Sequence, residues 1–187
     1  MLTPWKDVWK RVGASVPAKG VFLALFMAGL FALPALERFF WFLDGANLMI
    51  HEGGHSFFGI VGSHFLMVLG GTLAQLLAPL GFALAFLSRG QALYADGALF
   101  WFGQNFLGVG TYMSDARAQK LDLFSPTTLV GGKDSHDWTY LLKTTGLLRF
   151  DEPLGTLTKA AGVAVMVFAL FCLAQHGREK LAGIGKK

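Results

Sequence analysis

Residues 39–61 read FFWFLDGANLMIHEGGHSFFGIV, an apolar run interrupted near its end by His51-Glu52-Gly53-Gly54-His55. The run is long enough for a bilayer, since a crossing helix needs roughly 20 apolar residues. Each ionisable group at mid-membrane costs roughly 2.5–3.5 kcal/mol on insertion scales, so the cluster needs a compensating partner. In a helix, residues i and i+4 lie about 40° and one turn apart. His51 and His55 therefore offer two imidazoles to one point, at a spacing that suits a tetrahedral metal. Glu52 falls about 60° round from His55 and can reach a water on that metal without being a ligand. In an HExxH site zinc acidifies the water and the glutamate takes its proton. The pattern predicts Zn2+ as cofactor, His51 and His55 as ligands, and Glu52 as general base.

The same helical face carries Asp44 and Asn47, at i and i+3 of a series continued by His51 and His55. Asn47, one turn before His51, is placed to orient its ring. Asp44 lies about 10 Å from His51 along the axis, too far to share an ion, and suits the cap of a helix beginning near Gly45. Gly53 and Gly54 each cost about 1 kcal/mol in a helix interior, so either a substrate strand or a neighbouring helix comes close there.

The rest of the chain agrees with a membrane setting. Of 187 residues, 53% are hydrophobic and 15% charged, against about a quarter charged in soluble domains; mean hydropathy is +0.50. The net charge of +4 does not indicate nucleic acid. Lys6, Lys10, Arg11 and Lys19 precede the first apolar stretch and Arg178, Lys180, Lys186 and Lys187 follow the last, a placement that sets topology and meets anionic headgroups. Cys172, the single cysteine, lies in an apolar run, where it reads as a small buried hydrophobe.

We expect an all-α polytopic bundle of four to five spans in a single domain over 1–187, with interfacial amphipathic helices. Trp5, Val8, Trp9 and Val12 mark one such helix over 1–18, its tryptophans in the headgroup layer. The first span, about 20–36, has a basic lead, but Leu33-Pro34-Ala35 lacks a small-x-small cleavage pattern and reads as an uncleaved anchor. The HExxH segment follows from Phe39 to Val61. Span three is Phe65 to Ser88, where Gly70, Ala74 and Ala78 form a stripe that lets a helix approach. Span four is about Ala92 to Ser114 and the last about 157–175. Between them, Asp115 to Pro153 is polar and broken by Pro126, Gly131-Gly132 and Asp151-Glu152-Pro153, with Trp138, Leu141, Leu142 and Leu148 suggesting a short amphipathic helix. The basic N-terminus favours a cytoplasmic start, whereas five crossings would leave the basic tail outside.

A third metal ligand must come from further along. Two crossings after the HExxH segment return the chain to its end of the membrane, so Asp115 and the loop holding His136 and Asp137 emerge there. Gln104, Gly108, Thr111 and Asp115 form a polar stripe leading to the same side, with Gln104 a candidate orienting residue. His136 is the first choice by ligand preference, with Asp115 and Asp137 as alternatives. Asp115 otherwise pairs with Arg117 or caps a helix end. His64 and His176 read as solvated interfacial residues, and Gln75 as an interhelical hydrogen bond.

The segment Asn47-Leu-Met-Ile-His51-Glu52-Gly-Gly-His55 within a hydrophobic helix resembles the site-2 protease group, the M50 intramembrane zinc metalloproteases. It is most similar to small bacterial M50-like membrane proteins, in which HExGH is followed by Gly70-Gly71-Thr72-Leu73-Ala74-Gln75, Gly103-Gln104-Asn105, Tyr112-Met-Ser-Asp115-Ala-Arg117 and His136-Asp137-Trp138. The likeness spans about residues 40–145, the metalloprotease-like core. It implies a zinc site of His51 and His55 with Glu52 as base, in a bacterial inner-membrane protein. In site-2 proteases an aspartate of an Asp-Gly motif completes the site; the downstream Asp-Gly here is Asp96-Gly97, expected on the opposite side and without the accompanying Asn and Pro. Two functions follow: hydrolysis of membrane or membrane-proximal peptides, or a non-proteolytic subunit that scaffolds a larger membrane complex.

Overall fold

A computed structural model describes residues 37–60, 62–121 and 136–184. The expected interfacial helix over 1–18 and the first span over 20–36 lie outside the described residues. Those described are all-α, in the order α1 (Glu37–Gly59), α2 (His64–Ser88), α3 (Ala92–Ser114), α4 (Asp137–Thr144), a 3-10 turn (Leu148–Phe150) and α5 (Asp151–Ile184). The boundaries of α1 to α3 follow the apolar runs closely. Two details differ. Asp44 lies inside α1 and is not at its start, because the helix already begins at Glu37. α5 begins at Asp151, well before the apolar run, because Pro153 falls in its first turn, where a missing N–H loses no helical bond.

Among the described residues, α2 and the Leu148–His176 segment are long and apolar enough to cross a membrane. The 25 residues of α2 rise about 37 Å, more than the hydrocarbon core requires. Only 28% and 22% of the two apolar windows are buried by protein, and Leu77, Leu84, Leu157, Phe168 and Phe171 are exposed. Apolar surface left open on this scale suits lipid, and a soluble core helix would be mostly covered.

The helices form two compact groups. One comprises Phe42–Leu77 and Asn105–Val163. Within it α1 and α2 meet almost backbone to backbone: a Cβ on Gly54 would strike the Gly70 carbonyl and lie 2.6 Å from Ala74 Cβ. Phe58 likewise packs over Gly70, so this part of the small-residue stripe receives α1. A second close approach joins α3 to α5, where a Cβ on Gly155 would strike Ser114 Oγ and the Gly110 carbonyl. Val109, Met113, Ala116 and Leu142 form a buried core, with Leu76, Trp138, Leu148 and Leu154 packed on it. Thus α4 is the expected amphipathic helix, but its buried Leu141 and Leu142 face protein and not the headgroup layer.

The turn after α3 is tied to the start of α5. Arg117 donates from Nε to Asp151 Oδ1 at 2.7 Å and from its backbone N–H to Oδ2 at 3.1 Å, and Asp151 is 1% exposed. Arg117 therefore pairs with Asp151 and not with Asp115, whose carboxylate accepts the Lys120 and Leu121 amides at 2.9 and 3.0 Å. The Thr139 hydroxyl donates to the Ala116 carbonyl, fixing α4 to this turn.

The other group contains Ala78–Gln104 and the α5 residues from Ala164 onward. Phe82 stacks on Trp101 at 6.1 Å between centroids, and Met166, Ala169 and Leu173 are buried. His176, expected as a solvated tail residue, instead has Nδ1 2.8 Å from Asp96 Oδ2. That pairing engages the aspartate of the Asp-Gly dipeptide.

The helix crossing at Gly155 gives a stability test. Gly155→Ala should lower unfolding stability in detergent by about 1–3 kcal/mol through overpacking. Gly108→Ala, where a Cβ meets nothing within 4 Å, should not, as read by denaturant titration of helical circular dichroism.

Candidate metal centre

Three donor atoms, one each from His51, His55 and Asp137, lie within 4.8 Å of one another in the first group of helices and can hold a metal ion. His51 Nε2 is 3.0 Å and His55 Nε2 3.3 Å from the same carboxylate oxygen, Asp137 Oδ2. Ligands about 2.0–2.1 Å from a tetrahedral ion stand about 3.3–3.4 Å apart, so the spacings match one coordination edge each. The rings meet nearly edge to face, at 86° and 4.7 Å between centroids.

The other ring nitrogens decide what these atoms present to one another. His55 Nδ1 is 2.9 Å from the Met67 carbonyl, which only accepts, so Nδ1 carries the proton. His51 Nδ1 is 3.2 Å from Gln75 Oε1, again an acceptor. A neutral imidazole protonated at Nδ1 has a lone pair at Nε2. With both rings in this form two lone pairs face a carboxylate oxygen, and the 3.0 Å approach of His51 Nε2 to Asp137 Oδ2 then requires a proton or a metal ion between them. Only a cation between them, a metal ion or a proton that charges one ring, removes the repulsion.

Room for that cation is built into α2. A Cβ on Gly71 would lie 2.7 Å from His51 Nε2 and from both Cε1 and Nε2 of His55. Gly71 keeps the wall of the centre flat, while Gly54 and Gly70 bring α1 and α2 close enough for both imidazoles to sit against it. Of the two motif glycines, Gly54 thus serves helix packing. Gly53 has nothing within 4 Å of its would-be Cβ.

Asp137 is the first residue of α4, where the helix N-terminus favours a carboxylate. Its backbone N–H donates to the Tyr112 hydroxyl at 3.0 Å, and the Tyr112 ring lies 6.4 Å from that of His51. The residue before it, His136, was the first choice from sequence but is not among the converging donors. As the N-cap of α4 it accepts the Thr139 amide at Nδ1, 3.3 Å away. Burial pushes its imidazole below the ordinary value despite the nearby Asp115 and Asp137 carboxylates, and because Nδ1 accepts, the ring proton sits on Nε2. That nitrogen is buried without a hydrogen-bond partner and lies 3.6 Å from Asp115 Oδ2. In this arrangement Nε2 faces Asp115 and not the three converging donors. Asp115 is engaged in its own turn: burial works against its charge, but the Leu121 and Lys120 amides outweigh it and hold the carboxyl below the ordinary range.

The remaining expected residues are placed as follows. Glu52 is partly exposed and close enough to His55 to act on it electrostatically. Asn47 is buried one turn before His51, and Gln75 is the side chain that meets His51 Nδ1. Gln104 is buried in the second group of helices, whereas its neighbour Asn105, 0% exposed, receives the Gln75 amide at 2.9 Å. Gly71, Asn105 and Tyr112 lie in the family-like segments, but nothing in those segments gives them an individual role. The i, i+4 spacing of Gly71 and Gln75 on one helix face was the available signal. A described helical chain with a two-histidine, one-aspartate centre is the class defined so far. Compared with protein-family models, curated proteins and solved structures, the chain gives no match.

Three substitutions separate these roles. Asp137→Ala and Gly71→Leu should each abolish stoichiometric metal in the purified protein, and His136→Ala should retain it, measured by elemental analysis at constant helical content. Metal lost only with His136→Ala would reinstate that residue as the ligand.

Proposed function

We propose that this chain is an intramembrane zinc metalloprotease-like protein of the site-2 protease type, cutting peptide bonds in membrane or membrane-proximal substrates. In this reading α1 and α3 are embedded beside α2 and α5, and the bilayer supplies their outer surroundings. His51, His55 and Asp137 would hold Zn2+, a set of borderline and hard donors that suits this ion. Zinc in such a set supplies Lewis-acid polarisation of a carbonyl and acidification of a water.

The observation that carries the reading is the position of Glu52. By helical rotation it lies about 60° from His55, between the ligand-bearing face of α1 and the opposite face. That opposite face is open: Met49, Phe57 and Ile60 are 72%, 67% and 84% exposed, and Gly53 has space above it. A carboxylate at this border can take a proton from water at the centre and return it to a leaving amine, while a peptide reaches it over Gly53. A site serving structure alone has no use for a base there.

Glu52→Gln should leave the metal content unchanged and reduce cleavage by about 10²–10⁴-fold, the usual contribution of general-base catalysis. The assay reconstitutes the whole protein with single-span peptides in vesicles and counts new N-termini. Wild-type protein that holds zinc but cleaves no faster than Glu52→Gln would replace the protease reading with the scaffold one.

A further inference from the structure

His51 can serve as a ligand only if its proton stays on Nδ1, and one carboxamide decides that. Gln75 can present either an oxygen or an NH2 to the ring, with opposite results. With Oε1 toward His51, Nδ1 donates and the Nε2 lone pair faces Asp137. With the NH2 toward His51, Nδ1 must accept, Nε2 takes the proton, and the nitrogen facing Asp137 becomes a donor with no lone pair for a metal.

The choice is set from a third helix. Gln75 Nε2 donates to Asn105 Oδ1 at 2.9 Å, which turns Oε1 to His51 Nδ1, 3.2 Å away. The relay thus runs from α3 through α2 to α1, within one compact group. Its far end is wholly enclosed, with Asn105 0% exposed. Asn105 is fully buried and Gln75 half-buried; enclosing carboxamides among apolar helices is costly unless their hydrogen bonds are made, and a leucine would fill either position without that cost. We propose that the Gln75–Asn105 pair is a positioning device that fixes the proton of His51 on Nδ1 and so creates one of the metal's donor atoms. His55 needs no such device, because the Met67 carbonyl cannot flip.

This inference rests on the metal centre but not on proteolysis, and its test reads the proton directly. In metal-free, full-length protein labelled at the histidine ring nitrogens, and at a pH high enough that both rings are neutral, the wild type should show His51 protonated at Nδ1 alone. Gln75→Leu should shift His51 toward the Nε2-protonated form and weaken Zn2+ binding by about 10- to 100-fold in chelator competition. Gln75→Glu, which keeps an acceptor, should restore both. Asn105→Leu, which frees the amide to flip, should give an intermediate tautomer mixture and guards against misfolding of a single variant. An unchanged Nδ1-protonated His51 in Gln75→Leu and Asn105→Leu would overturn the proposal. The same holds whether or not the wild type binds zinc, since the tautomer is read without metal. Failure of zinc to bind wild type would separately remove the metal reading.

Discussion

Three acceptor atoms held against one another in an apolar interior cannot persist without a positive charge among them. The low-dielectric surroundings that make their repulsion large make a cation at the centre correspondingly favourable. Much of the neighbouring structure serves to keep those atoms together. Gly54 and Gly70 let two helices touch, Gly71 removes the side chain that would occupy the centre, and a carbonyl and a carboxamide hold the two imidazoles with their lone pairs inward. The aspartate then supplies the negative charge that two neutral imidazoles lack.

The geometry also divides the work between helices of different kinds. α1 and α2 are long and their contact is set by backbone proximity, which leaves little freedom at the histidines. α4 has only 8 residues and would not be stable alone. It is held by the Thr139–Ala116 bond, the Tyr112–Asp137 bond and Leu142, buried with Val109 and Met113. Arg117 anchors the same turn to the buried Asp151 at the start of α5. A carboxylate on so short an element keeps its position through these neighbours.

The features legible in the sequence are those that act within one helix. Apolar length located α2 and α3 almost to the residue, and the i, i+4 spacing placed His51 and His55 on one face. Relations between helices were less legible. Choosing between His136 and Asp137 depends on which way α4 is rotated, and that follows from an N-cap bond which turns the His136 ring back onto its own helix. Their adjacency in sequence carries no such information. Gln75 could be read as an interhelical bond, but that it would reach both Asn105 and His51 depends on the packing of three helices. In sequence Pro153 marks a break, since a proline signals the end of a helix more often than its first turn. Its place in α5 depended on Asp151 being held by Arg117, a contact between residues 34 positions apart.

The order of the ligands along the chain has a consequence for biogenesis. His51 and Asp137 are separated by 86 positions, so the histidine pair leaves the ribosome while the aspartate has yet to be made. Until α4 docks, these three side chains offer two neutral nitrogens and no anion, a weaker set of donors for any cation. A cation held by all three donors would therefore be taken up only late in synthesis. A chain truncated before α4 would retain its HExxH motif and yet remain empty.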